Sequence, residues 1–313
     1  YATAKGLYEL SVNGKRVGQD LFAPGWTDYF KRIRYQTYNV TELIENGANT
    51  VGAVLGTGWY CGYVAWWTKL YGETPALLAQ LEIEYEDGSI QTIGSGEHWS
   101  SSTGPILASD MLQGETYDAR LEIPGWDSPG FDDSGWPPVN TAPIAAGAPI
   151  LDGSTGSPIR LIQEIQPLTV TEQSPEIYIF DMGQNMGGTV RLSVAGDTGD
   201  QIRLRYAEVL NDDGSIYTEN LREAKATDLY ILRGNPDGEV WEPKFTYHGF
   251  RYVEISGFSS KPELDQLSGL VIHTEMPHTG GFSCSNELLN QLQHNIEWGQ
   301  RGNFLDVPTD CPQ

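Results

Sequence analysis

Aromatic side chains are the residues of this chain whose types and spacing best suit the binding of a ligand. The sequence contains 9 tryptophans and 16 tyrosines, and two adjacent pairs, Trp59-Tyr60 and Trp66-Trp67, follow the ends of predicted strands. Loops at strand ends often carry function. Flat rings cover the C–H faces of sugars, and neighbouring polar groups bind the hydroxyls. The two pairs therefore indicate a carbohydrate-binding site. The alternative for each ring is a position in the hydrophobic core.

Residues that would indicate other chemistry lack the required spacing. The 3 cysteines, Cys61, Cys284 and Cys311, lie far apart in the sequence. They are typical of free thiols, since disulfide frameworks and zinc sites need paired spacings. The 5 histidines show no ligand spacing either, so no metal site is predicted from them. No helix is predicted after the glycines that follow the strand at 50–55, so the pattern is not that of a phosphate-binding loop.

The charge of the chain excludes two classes of partner. The formal net charge is −23, from 42 acidic and 19 basic residues. Such a surface repels nucleic acids and anionic membranes, and it suits solubility or, as the alternative, cation binding. No apolar stretch is long enough for a transmembrane helix. The compartment, cytoplasmic or secreted, stays open, since no signal peptide is visible and the true N-terminus is expected to lie upstream of Tyr1.

Short strands dominate the pattern, so the fold class is predicted to be all-β. Asn13-Gly14 supplies the two positive φ values of a type I′ turn inside a hairpin at 7–18. Further strands recur at short intervals, which is typical of β-sandwiches. The predicted strands are 33–40, 50–55, 77–85, 176–180, 189–194, 201–207, 228–232 and 245–255.

A length of 313 residues suggests two domains and leaves a C-terminal remainder. We predict a first β-sandwich at 1–157, which includes an irregular Pro/Gly/Ala-rich linker at 124–157, and a second at 158–280. The period then changes to helical at 285–299, with Ser285 as N-cap. The apolar stripe of that helix needs a surface to bury against. We therefore expect 281–313 to begin a further, helical domain whose remainder is absent, and this stump to be disordered or docked on a partner.

Eight strings along the chain, in order, resemble the bacterial α-L-rhamnosidases of glycoside hydrolase family 78. The strings are Tyr8-Glu-Leu-Ser-Val-Asn-Gly14, Ala23-Pro-Gly-Trp-Thr-Asp-Tyr29, Gly58-Trp-Tyr60, Gly114-Glu-Thr-Tyr-Asp-Ala-Arg120, Phe180-Asp-Met-Gly-Gln-Asn-Met186, Arg205-Tyr-Ala-Glu-Val-Leu210, Phe245-Thr-Tyr-His-Gly-Phe-Arg-Tyr252 and Val307-Pro-Thr-Asp-Cys-Pro-Gln313. The resemblance implies a carbohydrate-binding-module-like, jelly-roll-like sandwich, a second sandwich, and the first helix of an (α/α)6 catalytic barrel.

The resemblance also implies an inverting glycosidase acting on rhamnose-containing carbohydrates of plants. Such enzymes need one carboxyl group to protonate the leaving oxygen and another to activate water. In the family, the motif Asp-Cys-Pro-Gln continues with Arg-Asp-Glu-Arg, where the glutamate is the general acid. Asp310 matches the opening aspartate, which holds the sugar; a turn-capping role is the alternative. The chain ends at Gln313, before the acid and the base, so no catalytic residue is expected within it. We expect this chain alone to be inactive and its C-terminal catalytic domain to be a missing partner.

Some first domains of the family bind rhamnose together with calcium through an Asp-Asn pair in the turn after a short helix. Here that turn is Gly47-Ala48-Asn49, so an alanine replaces the acidic residue. A hard cation prefers carboxylate oxygens, which makes calcium doubtful as a cofactor. We predict Asn49 and Pro105, with Trp59 and Tyr60, as sugar contacts of this domain.

Two other groups of polar residues were considered for function. Gly183-Gln184-Asn185 and Tyr247-His248-Gly249 either border an active site or, as the favoured interpretation, brace two strands. Phe131-Asp-Asp-Ser-Gly-Trp136 is interpreted as structural, with its aspartates capping a turn.

Two alternative functions remain at this point. A stand-alone two-domain lectin or adhesion protein would leave the apolar stripe of the helix unused. The front of a β-galactosidase-like enzyme shares the Val-Asn-Gly-Lys hairpin, but it would continue into an immunoglobulin-like domain and a TIM barrel.

Overall fold

The computed structural model describes residues 1–143 and 147–309, which form two compact units. The first unit contains Tyr1–Gly104 and the described part of Glu122–Gly156. The second contains Pro105–Leu121 and the described residues from Ser157 onward. Most of the regular structure in both units is β-strand, in agreement with the predicted fold class.

The secondary-structure elements follow one another in chain order. The strands are β1 (Ala2–Lys5), β2 (Leu7–Val12), β3 (Lys15–Arg16), β4 (Arg32–Tyr35), β5 (Val51–Gly56), β6 (Tyr63–Val64), β7 (Trp67–Thr68), β8 (Ala76–Glu84), β9 (Ile90–Gly94), β10 (Ile106–Asp110), β11 (Gly114–Asp118), β12 (Ile150–Gly153), β13 (Ile159–Ile165), β14 (Thr169–Ser174), β15 (Ile177–Val194), β16 (Gln201–Ala207), β17 (Thr227–Ile231), β18 (Glu239–Trp241), β19 (His248–Ser256), β20 (Leu267–Thr274), β21 (Phe304–Leu305) and β22 (Val307–Pro308). The helices are α1 (Gly58–Cys61) and α2 (Glu287–Gly302), with 3-10 turns at Thr41–Leu43, Ala119–Leu121, Glu219–Leu221 and Leu264–Gln266.

The first unit is built from small sheets. Strands β1, β8 and β9 form one three-stranded sheet and β3, β2 and β5 another, while β4 pairs with β12 and β6 with β7. The hairpin of β2 and β3 turns at Asn13 and Gly14, whose φ angles are 53° and 74°. Both positive angles are those of the predicted type I′ turn. This turn fixes the register in which β2 places Leu7 and Tyr8 in the core.

The second unit is built on one ten-stranded sheet. Its strands follow the order β10-β11-β17-β16-β19-β15-β20-β13, and β14 and β18 also pair with β15. Alternate residues of β15, Val190, Leu192 and Val194, are buried in its core. Because side chains of a strand alternate between its two faces, this period places the apolar face inward.

Strand β15 is one continuous strand, whereas two separate strands, 176–180 and 189–194, were predicted in this region. It runs for 18 residues through the string that begins at Phe180. Its pairing with β19 shifts register between Asp181 and Met186. Gly183 lies inside this irregularity with a φ of 73°, and its backbone N–H donates to Asp181 Oδ1. The break in the sequence pattern is therefore a bulge within one continuous strand.

The segment at 105–121 belongs to the second unit, whereas the sequence suggested that it lies within a first domain at 1–157. Strand β11 pairs in parallel with β17, with Thr116 opposite Leu229 and Tyr117 opposite Tyr230. Strand β10 extends the same sheet through β11. Continuity in the sequence could not reveal this, because the parallel partner lies far along the chain.

Helix α2 lies on the second unit at the position where a helix was predicted. Its N-cap is Asn286, one residue after the predicted Ser285, because Asn286 Oδ1 accepts from the backbone N–H of Leu288 at 3.0 Å. Trp298 packs against the core of the second unit. The opposite stripe of the helix is exposed, with Leu288 at 81% and Ile296 at 55%. The helix is thus folded, and one of its faces packs on the second unit. The expectation had been that this segment would be disordered or would dock on a partner.

Among the described residues, no helix has the length and apolar character needed to cross a membrane.

Candidate functional site

The motif that contains Asp310 is described only up to Thr309, so Asp310 lies outside the described residues. The backbone leading to it is held by two hydrogen bonds. The N–H of Asp306 donates to Thr274 Oγ1 at 2.8 Å, and the N–H of Thr309 donates to the carbonyl of Asn303 at 2.9 Å. Leu305 is only 1% exposed. The approach to the motif is therefore anchored on the end of β20 and on the end of α2.

Trp59 and Tyr60, which are predicted as sugar contacts, occupy the core position that is the alternative for each ring. They lie in α1 and are 6% and 9% exposed. The Trp59 ring is stacked on Trp26, with centroids 6.0 Å apart and an interplanar angle of 6°. The Tyr60 ring contacts Tyr29 edge to face at 5.4 Å. Their low exposure and these ring contacts are those of side chains packed in the core of the first unit.

The pair Trp66 and Trp67 is exposed on the hairpin of β6 and β7. Each side chain is 59% exposed, and the two rings stand at 86° with centroids 6.1 Å apart. Ala65 precedes them with a φ of 51°, a left-handed conformation that a non-glycine residue adopts at a cost. Beside them, Lys69 Nζ pairs with Glu73 Oε2. The hairpin thus carries two exposed aromatic side chains, and the polar side chains of Lys69 and Glu73 follow them in the sequence.

Asn49 has a structural role in the turn after the 3-10 helix. Its Oδ1 accepts from Asn13 Nδ2 and from the backbone N–H of Glu45, each at 2.8 Å. Its Nδ2 donates to the carbonyls of Glu45 at 2.8 Å and Gly47 at 3.1 Å. These bonds tie the turn to the β2–β3 hairpin. Ala48 stands beside Asn49 in place of an acidic residue, and Asn49 Oδ1 already accepts from two donors.

Pro105 lies in the second unit, whereas Asn49 lies in the first. The carbonyl of Pro105 accepts from the backbone N–H of Asp118 at 2.8 Å, which closes the base of the β10–β11 hairpin. The structure therefore places Pro105 directly before β10, in the second unit.

Within the described residues, no group of three or more His, Cys, Asp or Glu side chains is arranged to hold a metal ion. Cys61 and Cys284 are free thiols, and Cys311 lies outside the described residues.

The polar groups of the two strings in β15 and at the start of β19 differ in burial and in partners. Tyr247 and His248 are 4% and 2% exposed, and Tyr247 Oη donates to the carbonyl of Ile272 at 3.2 Å. Gln184 Oε1 lies 3.3 Å from Nε2 of His294 on α2. Asn185 Nδ2 donates to Glu208 Oε1 at 2.8 Å. These contacts link the bulged strand to α2 and to the loop after β16.

The string that ends at Trp136 is structural, as predicted. Asp132 Oδ1 accepts from the backbone N–H of Ser134 at 3.1 Å, and hydrogen bonds from Ser134 lower the pKa of Asp132. Phe131 contacts Trp136 at 5.5 Å between centroids.

A buried ionisable cluster in the second unit was missed by the sequence analysis. Glu115, Asp228 and His248 are 1%, 0% and 2% exposed, and Tyr206, at 0%, is stacked on the His248 ring at 4.1 Å. The sequence signal for this cluster is the position of Asp228, which lies on the same face of β17 as the buried Tyr230. A charged residue at period two within an apolar strand face indicates a buried polar network.

Three family models match consecutive parts of the chain. The α-L-rhamnosidase N-terminal domain model matches residues 1–163, which is more than half of the chain. The bacterial α-L-rhamnosidase concanavalin-like domain model matches 171–273. The bacterial α-L-rhamnosidase six-hairpin glycosidase domain model matches 277–313.

Similar proteins align with this chain along its whole length. An α-L-rhamnosidase of Streptomyces avermitilis is 53% identical over 313 residues, which are 100% of this chain and 30% of that protein. An α-L-rhamnosidase of Formosa agariphila is 43% identical over 100% of this chain and 34% of that protein. The crystal structure of the Streptomyces avermitilis α-L-rhamnosidase in complex with L-rhamnose matches with a TM-score of 0.96, over 99% of this chain and 30% of that one. The chain spans about a third of the length of these relatives.

Proposed function

The chain belongs to the bacterial α-L-rhamnosidase family, and from this premise we propose that it is part of an enzyme that releases terminal α-L-rhamnose from plant glycosides or polysaccharides. The observation that carries the proposal is the 53% identity to an α-L-rhamnosidase along all 313 residues. The similarity continues through 277–313, the part that matches a glycosidase domain. A lectin would have no need of that part, so the enzyme is favoured over the stand-alone binding protein.

We further propose that each unit is a β-sandwich and that α2 is the first helix of an (α/α)6 barrel. Antiparallel strands with one buried face support the sandwiches, since such sheets must cover that face with a second layer. The exposed stripe of α2 supports the barrel, because Leu288, Leu292 and Ile296 form an apolar face opposite the one that Trp298 packs on the second unit.

The proposed reaction is hydrolysis with inversion, in which Asp310 holds a sugar hydroxyl. Two further carboxyl groups are needed, one to protonate the glycosidic oxygen and one to activate water. The motif that supplies the acid in the family continues beyond Asp-Cys-Pro-Gln, and the 313 residues contain neither its Arg-Asp-Glu-Arg string nor the base. An ionised aspartate accepts hydrogen bonds only, which suits the orientation of a hydroxyl donor.

The test compares two forms of the protein on an aryl α-L-rhamnoside. The 313-residue chain is expected to release no rhamnose. The form extended by the residues that follow Gln313 in the gene is expected to release β-L-rhamnose first, as followed by proton NMR. Hydrolysis by the 313-residue chain would contradict the assignment of the acid and base, and an extended form without activity would contradict the proposed function.

Within the extended form, Asp310→Asn should lower kcat/KM by roughly 10- to 100-fold, because a hydrogen bond to a charged group contributes about 1.5–3 kcal/mol. The matched control is Glu287→Gln, which removes an exposed carboxylate from the first turn of α2. Its kcat/KM should equal that of wild type. Equal activity of the Asp310→Asn variant would leave Asp310 with the turn-capping role.

For the first unit, we propose that sugar contacts are made by Trp66 and Trp67. What supports this is their exposure, the right-angled arrangement of their rings, and the adjacent Lys69 and Glu73. A sugar ring can lie on one indole face while the ion pair binds its hydroxyls. The acidity of the chain, −23 overall, favours an uncharged carbohydrate.

Isothermal titration of the purified protein with L-rhamnose tests this contact. Binding should weaken at least about tenfold in Trp66→Ala or Trp67→Ala, and it should persist in Phe282→Ala, which removes another exposed ring (54%). The titration is run with calcium and with a chelator, and equal affinities are expected because Ala48 replaces the acidic residue beside Asn49. Binding that needs calcium, or that survives loss of both tryptophans, would overturn the assignment.

A further inference from the structure

Two buried carboxyl groups lie on neighbouring strands in the core of the second unit and interact electrostatically. Glu115 lies in β11 and Asp228 in β17, and they are 1% and 0% exposed. The backbone N–H of Glu115 donates to Asp228 Oδ1 at 2.7 Å. Two like charges at such a site, both removed from water, cannot be ionised together without a large cost.

Asp228 has hydrogen-bonding neighbours at both of its carboxyl oxygens. Its Oδ2 accepts from the hydroxyl of Tyr206 at 2.5 Å, and His248 Nε2 lies 3.3 Å from both of its oxygens. Together with the N–H of Glu115, these groups give each carboxyl oxygen of Asp228 at least two polar neighbours.

Glu115 has poorer partners for a negative charge. Its Oε2 accepts from the backbone N–H groups of Lys244 at 3.1 Å and Phe245 at 3.2 Å. Its Oε1 is buried and has no hydrogen-bond partner within the described part of the chain. The titratable groups that face it are Asp228 on β17, Tyr206 on β16 and the positive charge of Lys244. Oε1, the oxygen of Glu115 that has no donor, is therefore the atom on which a proton would be bound.

We propose that the Glu115–Asp228 pair is a proton-binding site that fastens the β10–β11 hairpin to the sheet of the second unit. With one proton bound at Glu115, the side chain is neutral and β11 docks beside β17. When that proton is lost, two buried carboxylates repel each other, and the hairpin opens so that Glu115 can reach water.

The direction of the pH effect follows from the burial of Glu115. Burial raises the pKa of Glu115 to about 8, and the charge of Asp228 adds to the rise. In the opened hairpin the side chain returns to the ordinary value of 4.5. Because the closed form then binds the proton more tightly, closure is fully favoured below pH 4.5. It weakens as the pH rises towards 8, with the opening equilibrium increasing about tenfold per pH unit within that window.

Hydrogen exchange measured by mass spectrometry on the purified protein tests the site. After correction for intrinsic exchange rates, peptides covering 106–118 should open about tenfold more per pH unit between pH 5 and 8, while peptides covering 177–194 should not change. In Glu115→Gln the side chain is uncharged at every pH, so the opening of 106–118 should be the same across the range. An equal pH dependence in wild type and Glu115→Gln would overturn the proposal.

Glu239→Gln is the matched control, since Glu239 is also buried in the second unit, at 4% exposure. Burial raises its pKa, but hydrogen bonds from Tyr230 and from the backbone N–H groups of Arg233, Gly234 and Asn235 outweigh burial and leave it lowered. Its replacement should leave the pH dependence of 106–118 intact, and loss of that dependence would also overturn the proposal.

A measurement on the wild-type protein covers the case in which the Glu115→Gln variant does not fold. The infrared difference spectrum between pH 6 and pH 9 should show the loss of one protonated, buried carboxyl group. A spectrum with no such band at pH 6 would overturn the proposal without any variant.

Discussion

Two aromatic pairs of the first unit lie a few residues apart in the sequence and have opposite environments. Trp59 and Tyr60 are 6% and 9% exposed, whereas Trp66 and Trp67 are 59% exposed each. Both pairs follow strand ends and look alike as sequence. The difference comes from the backbone. The first pair lies in the single helical turn of α1, and the second lies on the hairpin of β6 and β7, which turns at Ala65. Residue type indicates where a ring can bind, but local backbone geometry decides whether its face is open.

The largest expected effect is at the buried pair. Trp59→Ala should lower the free energy of unfolding by about 3–5 kcal/mol, because it removes a stacked, buried ring and leaves a cavity beside Trp26. Urea denaturation followed by circular dichroism measures the loss. A change below about 1 kcal/mol would show that the ring is not a core element. The two aromatic pairs would then not differ in their contribution to stability.

A smaller effect is expected at the glycine that opens α1. Gly58 has a φ of 49°, and a Cβ atom built on it would lie 2.5 Å from Leu7 Cγ. Gly58→Ala should therefore cost about 1–3 kcal/mol through overpacking and backbone strain. The control is Gly88→Ala, which also has a positive φ of 80° but has no atom within 4 Å of the added Cβ. Thermal melting of both variants separates overpacking from backbone strain, and equal losses would mean that the packing around α1 is loose.

The smallest effect is expected at the exposed pair. Trp66→Ala and Trp67→Ala should each change the free energy of unfolding by no more than about 0.5 kcal/mol, because exposed side chains contribute little to packing. The same urea titration provides the measurement. A loss as large as that of Trp59→Ala would show that the hairpin rings support the fold, and their proposed role in binding sugar would lose its basis.

The parts of the fold that could be predicted are those encoded locally. The Asn13-Gly14 turn was predicted because its dipeptide supplies positive φ values, and the strand at 201–207 was predicted with the bounds that it has. Local signals also located α2, whose apolar spacing is regular, although its cap is Asn286. In each case the residues that specify the element are the residues within it.

The parts that escaped prediction depend on partners elsewhere in the chain. The place of β11 in the second unit depends on parallel pairing with β17, which no local pattern records. The burial of Trp59 depends on Trp26, and the cluster around Asp228 depends on strands that meet only in the folded sheet. Asp310 was assigned by resemblance to a family motif, and its role stays a prediction.

The pairing of β11 with β17 also sets an order of events during synthesis. Glu115 and Asp228, which join the two strands, are separated by 113 positions in the chain. At about 5–20 residues per second, a ribosome needs roughly 6–23 s between making the first and the second. In the later part of that interval the β10–β11 hairpin has left the ribosome before its sheet exists, with the Glu115 side chain in water and an unpaired edge open to other chains. Nascent chains stalled before residue 227 should therefore be the species that most needs protection by chaperones.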